Sequence, residues 1–285
     1  GVFVQICDID THGFGKDHAF GFHIANLVKH REQNPTCEST LMQVAELAQF
    51  HAVAADHVNR AIIAPKPEFG RTVLTAGMLT ERINIDSTRG ICLWRGRSAD
   101  AFELMPGNVG AYASADCPTI ILKTPSDRVF MIHAGLKCLV DTDSITTGCA
   151  DKARETGSII DVVVNVIPEE ERPGTEVVGM LGIAARNYAH PLQHERVEYR
   201  SWNERVVHYI YNEWGEGCFE GPLQEGLISL KALLRLQFAV YGITRIRFDT
   251  RDTYGDRSSH GGYRYYSERR GDSQRNLVLV WNVPW

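Results

Sequence analysis

Three short β-type segments follow one another at residues 109–115, 118–123 and 128–133. The break between the second and the third is TPSD, in which Pro and Asp are typical of a tight turn. We therefore predict that 118–123 and 128–133 pair as an antiparallel hairpin. The rest of the fold has to be built around this hairpin.

The predicted hairpin places a cysteine and a histidine next to each other. If the turn is centred on Pro125, Cys117 lies opposite His133, and directly opposed residues have Cβ atoms about 4.5–5.5 Å apart on one face. The imidazole could then accept the thiol proton, or both side chains could bind one metal ion. The alternative is that both are ordinary buried residues, since Cys is among the residues most often buried.

Predicted helices and strands alternate along the rest of the chain. This order indicates a mixed α/β (α+β) fold with a mixed sheet flanked by helices, in one layered domain over residues 1–285. Predicted helices cover residues 39–60, 143–157, 203–214 and 222–241. Predicted strands include IDVVVNVIP (160–168), TRIRFDTR (244–251) and NLVLVWNV (276–283).

The composition points away from several classes of protein. A formal net charge of −5 gives no basic excess for nucleic acid or an anionic membrane. Seven cysteines without a CxxC pair are typical of reduced thiols, so we expect a cytoplasmic protein. No apolar run approaches the roughly 18 residues of a membrane span, and no signal-peptide pattern opens the sequence.

Four motifs resemble, in the same order, those of the bacterial laccase-domain family. SADCPTIIL (114–122) with HAGLKC (133–138) resembles TADCxPVLL with HAGWRG, and GRSADAFELMPGNVGAYASADC (96–117) resembles EADALVT…G…LAV. THGFGKDHAFGFHIA (11–25) resembles RHGGVSxGPYASLNL. DTYGDRSSHGGYRYYSERRGDSQRNLVLVW (252–281) resembles CTYxxPERFFSYRRDGxTGRMAxLIW. The resemblance implies the laccase-domain fold, which is similar to the catalytic domain of cytotoxic necrotising factors.

The laccase-domain resemblance implies a zinc site. The family is described as multicopper polyphenol oxidase and as purine nucleoside phosphorylase, and places two His and one Cys on a zinc ion that activates water or phosphate against a nucleoside. Its Cys and second His fall on Cys117 and His133, which are our candidate catalytic residues and metal ligands. Its first His falls on Leu79, which cannot coordinate a metal. Zinc therefore has an incomplete ligand set here, and copper is less favoured.

Other histidines could supply the missing ligand. The candidates are His12, His190 and His194, of which the last two belong to HPLQH. If HPLQH is helical, both could lie on one face. The alternative is that these are exposed histidines at the start of a helix.

Four residues are candidates for substrate binding. In the family, the segment that matches YYSERRGDSQR closes over the active site, so Arg269 and Arg270 could hold a phosphate or a ribose. His12 and Lys137 lie in two of the other motifs. The alternative for both arginines is a solvated surface turn.

Three functions remain open. The first is a zinc-dependent purine nucleoside phosphorylase or hydrolase acting on a small nucleoside with phosphate. The second is a metal-free Cys–His deamidase or amidohydrolase, as in the cytotoxic necrotising factors. The third is a non-catalytic descendant that binds a ligand or a protein partner. Nucleic acid and membrane are not expected partners.

Overall fold

The structure is a computed structural model. It describes residues 2–3, 5–6, 15–16, 22–26, 61–78, 83–86, 91–94, 98–259, 261–272 and 276–282. The helix predicted at 39–60 lies outside these residues, as do His12 and Leu79. No helix in this part of the chain is long and apolar enough to cross a membrane.

The described strands are short and fall into three sheets. They are β1 (Val2–Phe3), β2 (Gln5–Ile6), β3 (Gly15–Lys16), β4 (Phe22–Asn26), β5 (Ala61–Ile63), β6 (Val73–Leu74), β7 (Ile83–Asp86), β8 (Ile91–Trp94), β9 (Ala101–Glu103), β10 (Val109–Ser114), β11 (Thr119–Lys123), β12 (Val129–His133), β13 (Glu176–Met180), β14 (Arg245–Phe248) and β15 (Asn276–Asn282). One sheet has the order β14-β13-β11-β12-β9-β6, and a second has the order β1-β15-β10-β5-β8-β7 with β4 also paired to β15. Strands β2 and β3 form a separate pair.

The described helices lie mainly between β12 and β14. They are α1 (Leu136–Leu139), α2 (Thr142–Thr146), α3 (Ala150–Thr156), α4 (Ile159–Asn165), α5 (Val197–Trp214) and α6 (Leu230–Val240), with 3₁₀ turns at Ala76–Met78, Glu169–Gly174, Ala185–Asn187, Glu216–Cys218 and Leu223–Glu225. Residue Gly148, at φ +83°, separates α2 from α3, so the helix predicted at 143–157 is two helices. The helices predicted at 203–214 and 222–241 are confirmed as α5 and α6, with shifted starts.

The six-stranded sheet is the middle layer of the described fold. On β11, Ile120 and Leu122 pack into an apolar cluster with the helices. The intervening Ile121 packs into a second cluster with Tyr112 of β10 and Val278 of β15, from the other sheet. Since successive strand residues face opposite sides, β11 is buried on both faces. The predicted fold, a mixed sheet flanked by helices, is confirmed.

The predicted hairpin forms, but its register differs from the prediction. Strands β11 and β12 pair antiparallel with Thr119 opposite His133, so the expected pairing of Cys117 with His133 is wrong. The N–H of Thr124 donates to the carbonyl of Arg128 at 2.9 Å, and Asp127 adopts φ +63°. A three-residue loop with its last residue in the left-handed region is a common hairpin geometry. It centres the turn on Ser126 instead of Pro125.

The strand predicted at 160–168 is also wrong, because most of it is helix α4. The Ser158 side chain accepts from the Asp161 N–H, and the Asp161 side chain accepts from the Ser158 N–H, which completes a capping box. The buried residues Ile160 and Val164 are spaced as on one helical face. Local capping and helical burial therefore outweigh the β-propensity of a Val-rich segment. The strands predicted at 244–251 and 276–283 are confirmed as β14 and β15.

Candidate functional site

Cys117 lies in the connection between β10 and β11. Its carbonyl accepts a hydrogen bond from the Ser114 hydroxyl at 2.8 Å, and its side chain is half-buried. A Cβ atom built on Gly135 would lie 2.8 Å from the Cys117 Sγ and 3.6 Å from the His133 Cε1. The thiol and the imidazole are therefore neighbours, although they do not form a cross-strand pair. The three-residue turn and the segment before β11 bring them together.

His133 ends β12, whose five residues are all buried. Its Nδ1 lies 2.9 Å from Oδ1 of Asp100, and its backbone N–H donates to the Asp100 carbonyl at 2.7 Å. The side chains of His133 and Asp100 are 2% and 0% exposed, so this contact is shielded from water. The orientation of the ring is therefore set by a buried carboxylate.

Asp100 is held by backbone donors on its other side. Its Oδ1 accepts from the Phe69 N–H at 3.2 Å, and its Oδ2 accepts from the Gly70 N–H at 2.7 Å. Burial alone raises the pKa of the Asp100 carboxyl. The hydrogen bonds from His133 and from these N–H groups outweigh burial, so the net effect lowers the pKa below its usual value. The carboxylate is therefore ionised at neutral pH.

The electrostatics of His133 favour its charged form. Burial by itself lowers the pKa of the imidazole, but electrostatic interaction with Cys117 and hydrogen bonds with Asp100, Cys117 and Cys138 raise the pKa well above its usual value. A histidine between a thiol and a carboxylate can take the thiol proton and stay charged. The order Cys117–His133–Asp100 is that of a nucleophile, a base and an orienting group.

Asp100, His133 and Cys138 form a candidate metal site. One potential ligand atom from each lies within 4.8 Å of the others, and all three residues are buried. It is the only such group in the described part of the chain. The Cys138 Sγ lies 3.8 Å from Nδ1 of His133, the same nitrogen that contacts Asp100. Burial raises the pKa of the Cys138 thiol. Because Nδ1 already has a carboxylate partner, these donors fit a hydrogen-bonded cluster better than an open zinc site.

A cleft of about 630 Å³ opens onto Cys117 and His133. This volume suits a small-molecule ligand or a single side chain of a larger one. The residues that line it are Pro67, Phe69, Ala113, Ser114, Ala115, Asp116, Cys117, His133, Tyr188, Glu268 and Arg269. The cleft therefore combines aromatic walls with charged groups near the thiol.

The predicted substrate-binding residues occupy different places. Arg269 lines the cleft, and its backbone N–H donates to Asp116 at 2.7 Å. The Arg270 guanidinium donates to the carbonyls of Thr253, Tyr254 and Tyr265, and pairs with the Asp272 carboxylate. The Arg270 guanidinium is therefore held by groups of the chain itself, and Arg270 is not among the residues that line the cleft.

Lys137 is exposed, and its Nζ lies 3.4 Å from the Asp143 carboxylate. The residue is not among those that line the cleft. Its role in substrate binding stays a prediction.

HPLQH is not helical, and the structure does not group its histidines with Cys117. His190 is buried, whereas His194 is half-buried, and both line a neighbouring groove. The third zinc ligand is therefore not provided by either of them in this arrangement.

Two aspartates of the site were not predicted as site residues. Asp100 orients His133, and Asp116 accepts from the Thr253 hydroxyl at 2.7 Å and from the Arg269 N–H. Asp116 and Cys117 both line the cleft although they are neighbours in sequence, because residues 115–118 are not a strand and their side chains do not alternate between two faces. A signal was present for Asp100, since an Asp inside the apolar run of SADAFEL needs buried partners.

Comparisons with known proteins identify the fold. No protein-family model matches the sequence, and no curated protein matches it. YlmD from Geobacillus stearothermophilus is 17% identical, with a TM-score of 0.59 over 91% of this chain and 85% of that chain. NMB0706 of Neisseria meningitidis, described as DUF152, is 18% identical, with a TM-score of 0.56 over 90% and 85%. The hypothetical protein YfiH of Bacillus licheniformis is 15% identical, with a TM-score of 0.55 over 86% and 81%. The chain therefore has the fold of these DUF152-type proteins, as the laccase-domain resemblance predicted.

Proposed function

We propose that this chain is a thiol enzyme in which Cys117 is the nucleophile, His133 the general base and acid, and Asp100 the group that orients His133. The observation that carries this proposal is the buried 2.9 Å contact between Nδ1 of His133 and Asp100, with the thiol beside the same ring. A nucleophile next to a base that is oriented by a third group is the usual signature of covalent catalysis.

The reaction that fits this order is hydrolysis of an amide. The Cys117 sulfur forms a bond to the amide carbon while His133 holds the thiol proton. His133 then gives that proton to the departing nitrogen as the carbon–nitrogen bond breaks, which leaves a thioester. Water attacks the thioester, a proton returns to the sulfur through His133, and a carboxylic acid is released. The products are an acid and an amine or ammonia, so no oxidant or metal is needed.

Alkylation by iodoacetamide tests whether Cys117 is activated. The chain provides an internal comparison, because Cys117 is half-buried whereas Cys149 is exposed. Access alone predicts that Cys149 reacts faster, and activation by His133 predicts that Cys117 reacts faster. We expect Cys117 to react at least about tenfold faster, which corresponds to an activation free energy lower by about 1.4 kcal/mol.

His133→Ala should abolish this advantage. His208→Ala, on the exposed face of α5, is the matched control and should leave it unchanged. Peptide mass spectrometry with and without a chelator separates intrinsic reactivity from masking by a metal. A Cys117 that stays slower than Cys149 after chelation would contradict the thiol mechanism and favour a non-catalytic protein that binds a ligand or a partner.

The second candidate function is a zinc-dependent nucleoside phosphorylase or hydrolase, with Cys117 and His133 as two zinc ligands. It is favoured by Asp100, because metal-binding histidines commonly donate their second ring nitrogen to a carboxylate. A bound zinc would supply an activated water or a polarised phosphate. In this case Arg269 would pair with the phosphate in the cleft.

Elemental analysis separates the two functions. About one zinc per chain, phosphorolysis of inosine or adenosine, and a thiol that is masked until chelation would favour the zinc enzyme. A metal-free protein with a reactive Cys117 would favour the thiol enzyme.

A further inference from the structure

Phe69 lies in the segment between β5 and β6 and lines the cleft that contains Cys117. Its backbone adopts φ +59°, in the left-handed region that a residue with a bulky side chain rarely enters. The residue is also 52% exposed, although its side chain is apolar. Phe69 therefore combines an unfavourable backbone conformation with an unburied ring, and each feature needs a physical reason.

The contact with Asp100 explains the backbone of Phe69. The N–H of Phe69 donates to Oδ1 of Asp100 at 3.2 Å, and the N–H of Gly70 donates to Oδ2 at 2.7 Å. Successive N–H groups in a turn form a concave site for an anionic group. Any residue except proline provides such an N–H, and glycine or asparagine adopts this conformation with less strain. The hydrogen bonds therefore explain the turn but not the phenyl ring.

A comparison with other strained positions shows what distinguishes Phe69. Within the described ranges, the non-glycine residues with positive φ are Phe69, Asp127 and Leu181. Asp127 belongs to the turn of the β11–β12 hairpin, where a short polar side chain is tolerated. Leu181 is 1% exposed and packs in the apolar core. Neither explanation applies to Phe69, which is apolar and exposed at the cleft.

The ring of Phe69 contacts the candidate base. It packs edge to face against the imidazole of His133, with centroids 5.2 Å apart and an interplanar angle of 79°. The imidazole is already oriented by Asp100 at 2.9 Å, and it packs near the buried Tyr112, whose ring centroid is 6.0 Å away. Phe69 is therefore the aromatic neighbour of His133 that solvent reaches, whereas Tyr112 is enclosed.

Tyr188 adds a second aromatic residue to the cleft. Its ring packs edge to face on His190, with centroids 4.6 Å apart, and the Arg269 guanidinium lies 5.9 Å from its centroid. Burial and the positive charge of Arg269 lower the pKa of His190 to about 4, so this histidine is neutral at physiological pH. Tyr188 is thus supported by a neutral ring, and it extends the apolar surface that Phe69 offers.

We propose that Phe69 is a specificity-determining residue, whose exposed ring packs against a bulky apolar group of the substrate, such as an aromatic ring, beside the amide that reacts at Cys117. Because the Phe69 ring contacts His133, a group that covers it lies next to the reacting atoms. Covering the ring also removes apolar surface from water, which favours binding. That this group belongs to an amide hydrolysed at Cys117 rests on the proposed function, whereas packing of an apolar group on Phe69 does not.

Two reagents with the same reactive group test this assignment. N-Benzylchloroacetamide and N-methylchloroacetamide both alkylate thiols, and they differ in the apolar group beside the amide. Their rates with Cys117 are measured on the full chain by peptide mass spectrometry and divided by their rates with free glutathione. We expect the benzyl reagent to react at least about fivefold faster after this correction, because aromatic packing favours its binding. Equal corrected rates would overturn the proposal.

Substitution of Phe69 gives a second readout. Phe69→Asn keeps the N–H that binds Asp100 and suits the left-handed backbone, but it removes the ring. The preference for the benzyl reagent should then fall below about twofold. Because the preference is a ratio of two rates in one variant, a general loss of thiol reactivity cancels. A preference that survives this substitution, with or without a lower urea midpoint, would show that the ring only supports His133.

Two control variants accompany Phe69→Asn. Phe69→Tyr keeps the aromatic ring and should keep the preference for the benzyl reagent. Tyr211→Asn removes an exposed aromatic side chain of α5 that does not line the cleft, and it should also keep the preference. A loss of preference in Tyr211→Asn equal to that in Phe69→Asn would contradict a specific role of Phe69.

Binding without reaction separates this inference from the proposed function. N-Benzylacetamide, which lacks the chlorine and does not alkylate, is titrated by ligand-observed NMR into the full chain carrying Cys117→Ser. We expect at least about fivefold tighter binding than to the chain carrying both Cys117→Ser and Phe69→Asn. Equal affinities, or no binding to either chain, would overturn the role of Phe69 even if Cys117 is reactive. An unreactive Cys117 with this difference intact would count against the proposed function alone.

Discussion

His133 and Asp100 are joined twice, once through their side chains at 2.9 Å and once through a backbone hydrogen bond at 2.7 Å. The backbone bond fixes the end of β12 against the residue that precedes β9. The side-chain bond then fixes the imidazole relative to the thiol of Cys117. The orientation of the imidazole is thus set at the strand ends by contacts within the chain.

The first prediction concerns the charge of Asp100. Asp100→Asn should slow alkylation of Cys117 by about 10- to 100-fold, because a hydrogen bond to a charged group is worth about 1.5–3 kcal/mol. The free energy of unfolding should fall by about 1–3 kcal/mol. Iodoacetamide kinetics and urea denaturation measure the two effects. An unchanged rate with reduced stability would show that Asp100 only holds the backbone of Phe69 and Gly70.

The second prediction concerns the space beside the thiol. A Cβ on Gly135 would lie 2.8 Å from the Cys117 Sγ, so Gly135→Ala must displace the thiol. The backbone at Gly135 has φ −70°, which alanine adopts without strain. We therefore expect slower alkylation of Cys117 with little change in the urea midpoint. Gly217→Ala, where no atom lies within 4 Å of the added Cβ, should change neither, and equal effects of both variants would refute this assignment.

The third prediction is a pH dependence from His190. Its pKa falls from about 6.5 in the unfolded chain to about 4 in the folded protein, so the unfolded state binds more protons between these values. Stability should therefore decrease as the pH falls from about 6.5 to 4, by up to about 3 kcal/mol. His190→Phe should remove this part of the slope. Urea midpoints of both proteins at pH 7 and pH 4.5 provide the measurement, and parallel losses would contradict it.

The fourth prediction concerns the zinc ligand that the resemblance places at residue 79. Leu79→His should raise the zinc content of the purified protein, because catalytic zinc usually has three protein ligands. Elemental analysis before and after dialysis measures the change. Leu79→Gln is a polar control that should bind less zinc than the histidine variant. Zinc contents that do not differ would show that residue 79 is not next to Cys117 and His133.

The hairpin shows how far the sequence alone can lead. TPSD indicated a turn, and the segments on either side do pair, but the centre of the turn depends on the conformation of Asp127. Turn residues tolerate several loop lengths, and a shift of the centre by one residue changes every cross-strand partner. The sequence predicted that Cys117 and His133 are neighbours, but it did not predict the turn length and the strand register that bring them together.

Asp100 shows a second limit of sequence reasoning. It lies 33 residues from His133 in the chain, and its role depends on pairing between β9 and β12. Sequence periodicity predicts which residues are buried, but it does not specify which distant polar groups meet. The strand predicted at 160–168 was wrong for a related reason. The helix over 159–165 is stabilised by a cap at Ser158 and by packing against other helices, and the β-propensity of the segment indicates neither.

The burial of β12 on both faces affects how the site can move. The strand lies in the middle layer, and all its residues are buried between the helices and the other sheet. Local opening is easiest where few apolar contacts hold a segment, so amide hydrogens of β12 should exchange only through near-global unfolding. Any motion that admits a substrate must then come from the walls of the cleft, such as the loop of the 52% exposed Phe69. The geometry around His133 and access to the cleft thus belong to parts of the chain with different local stability.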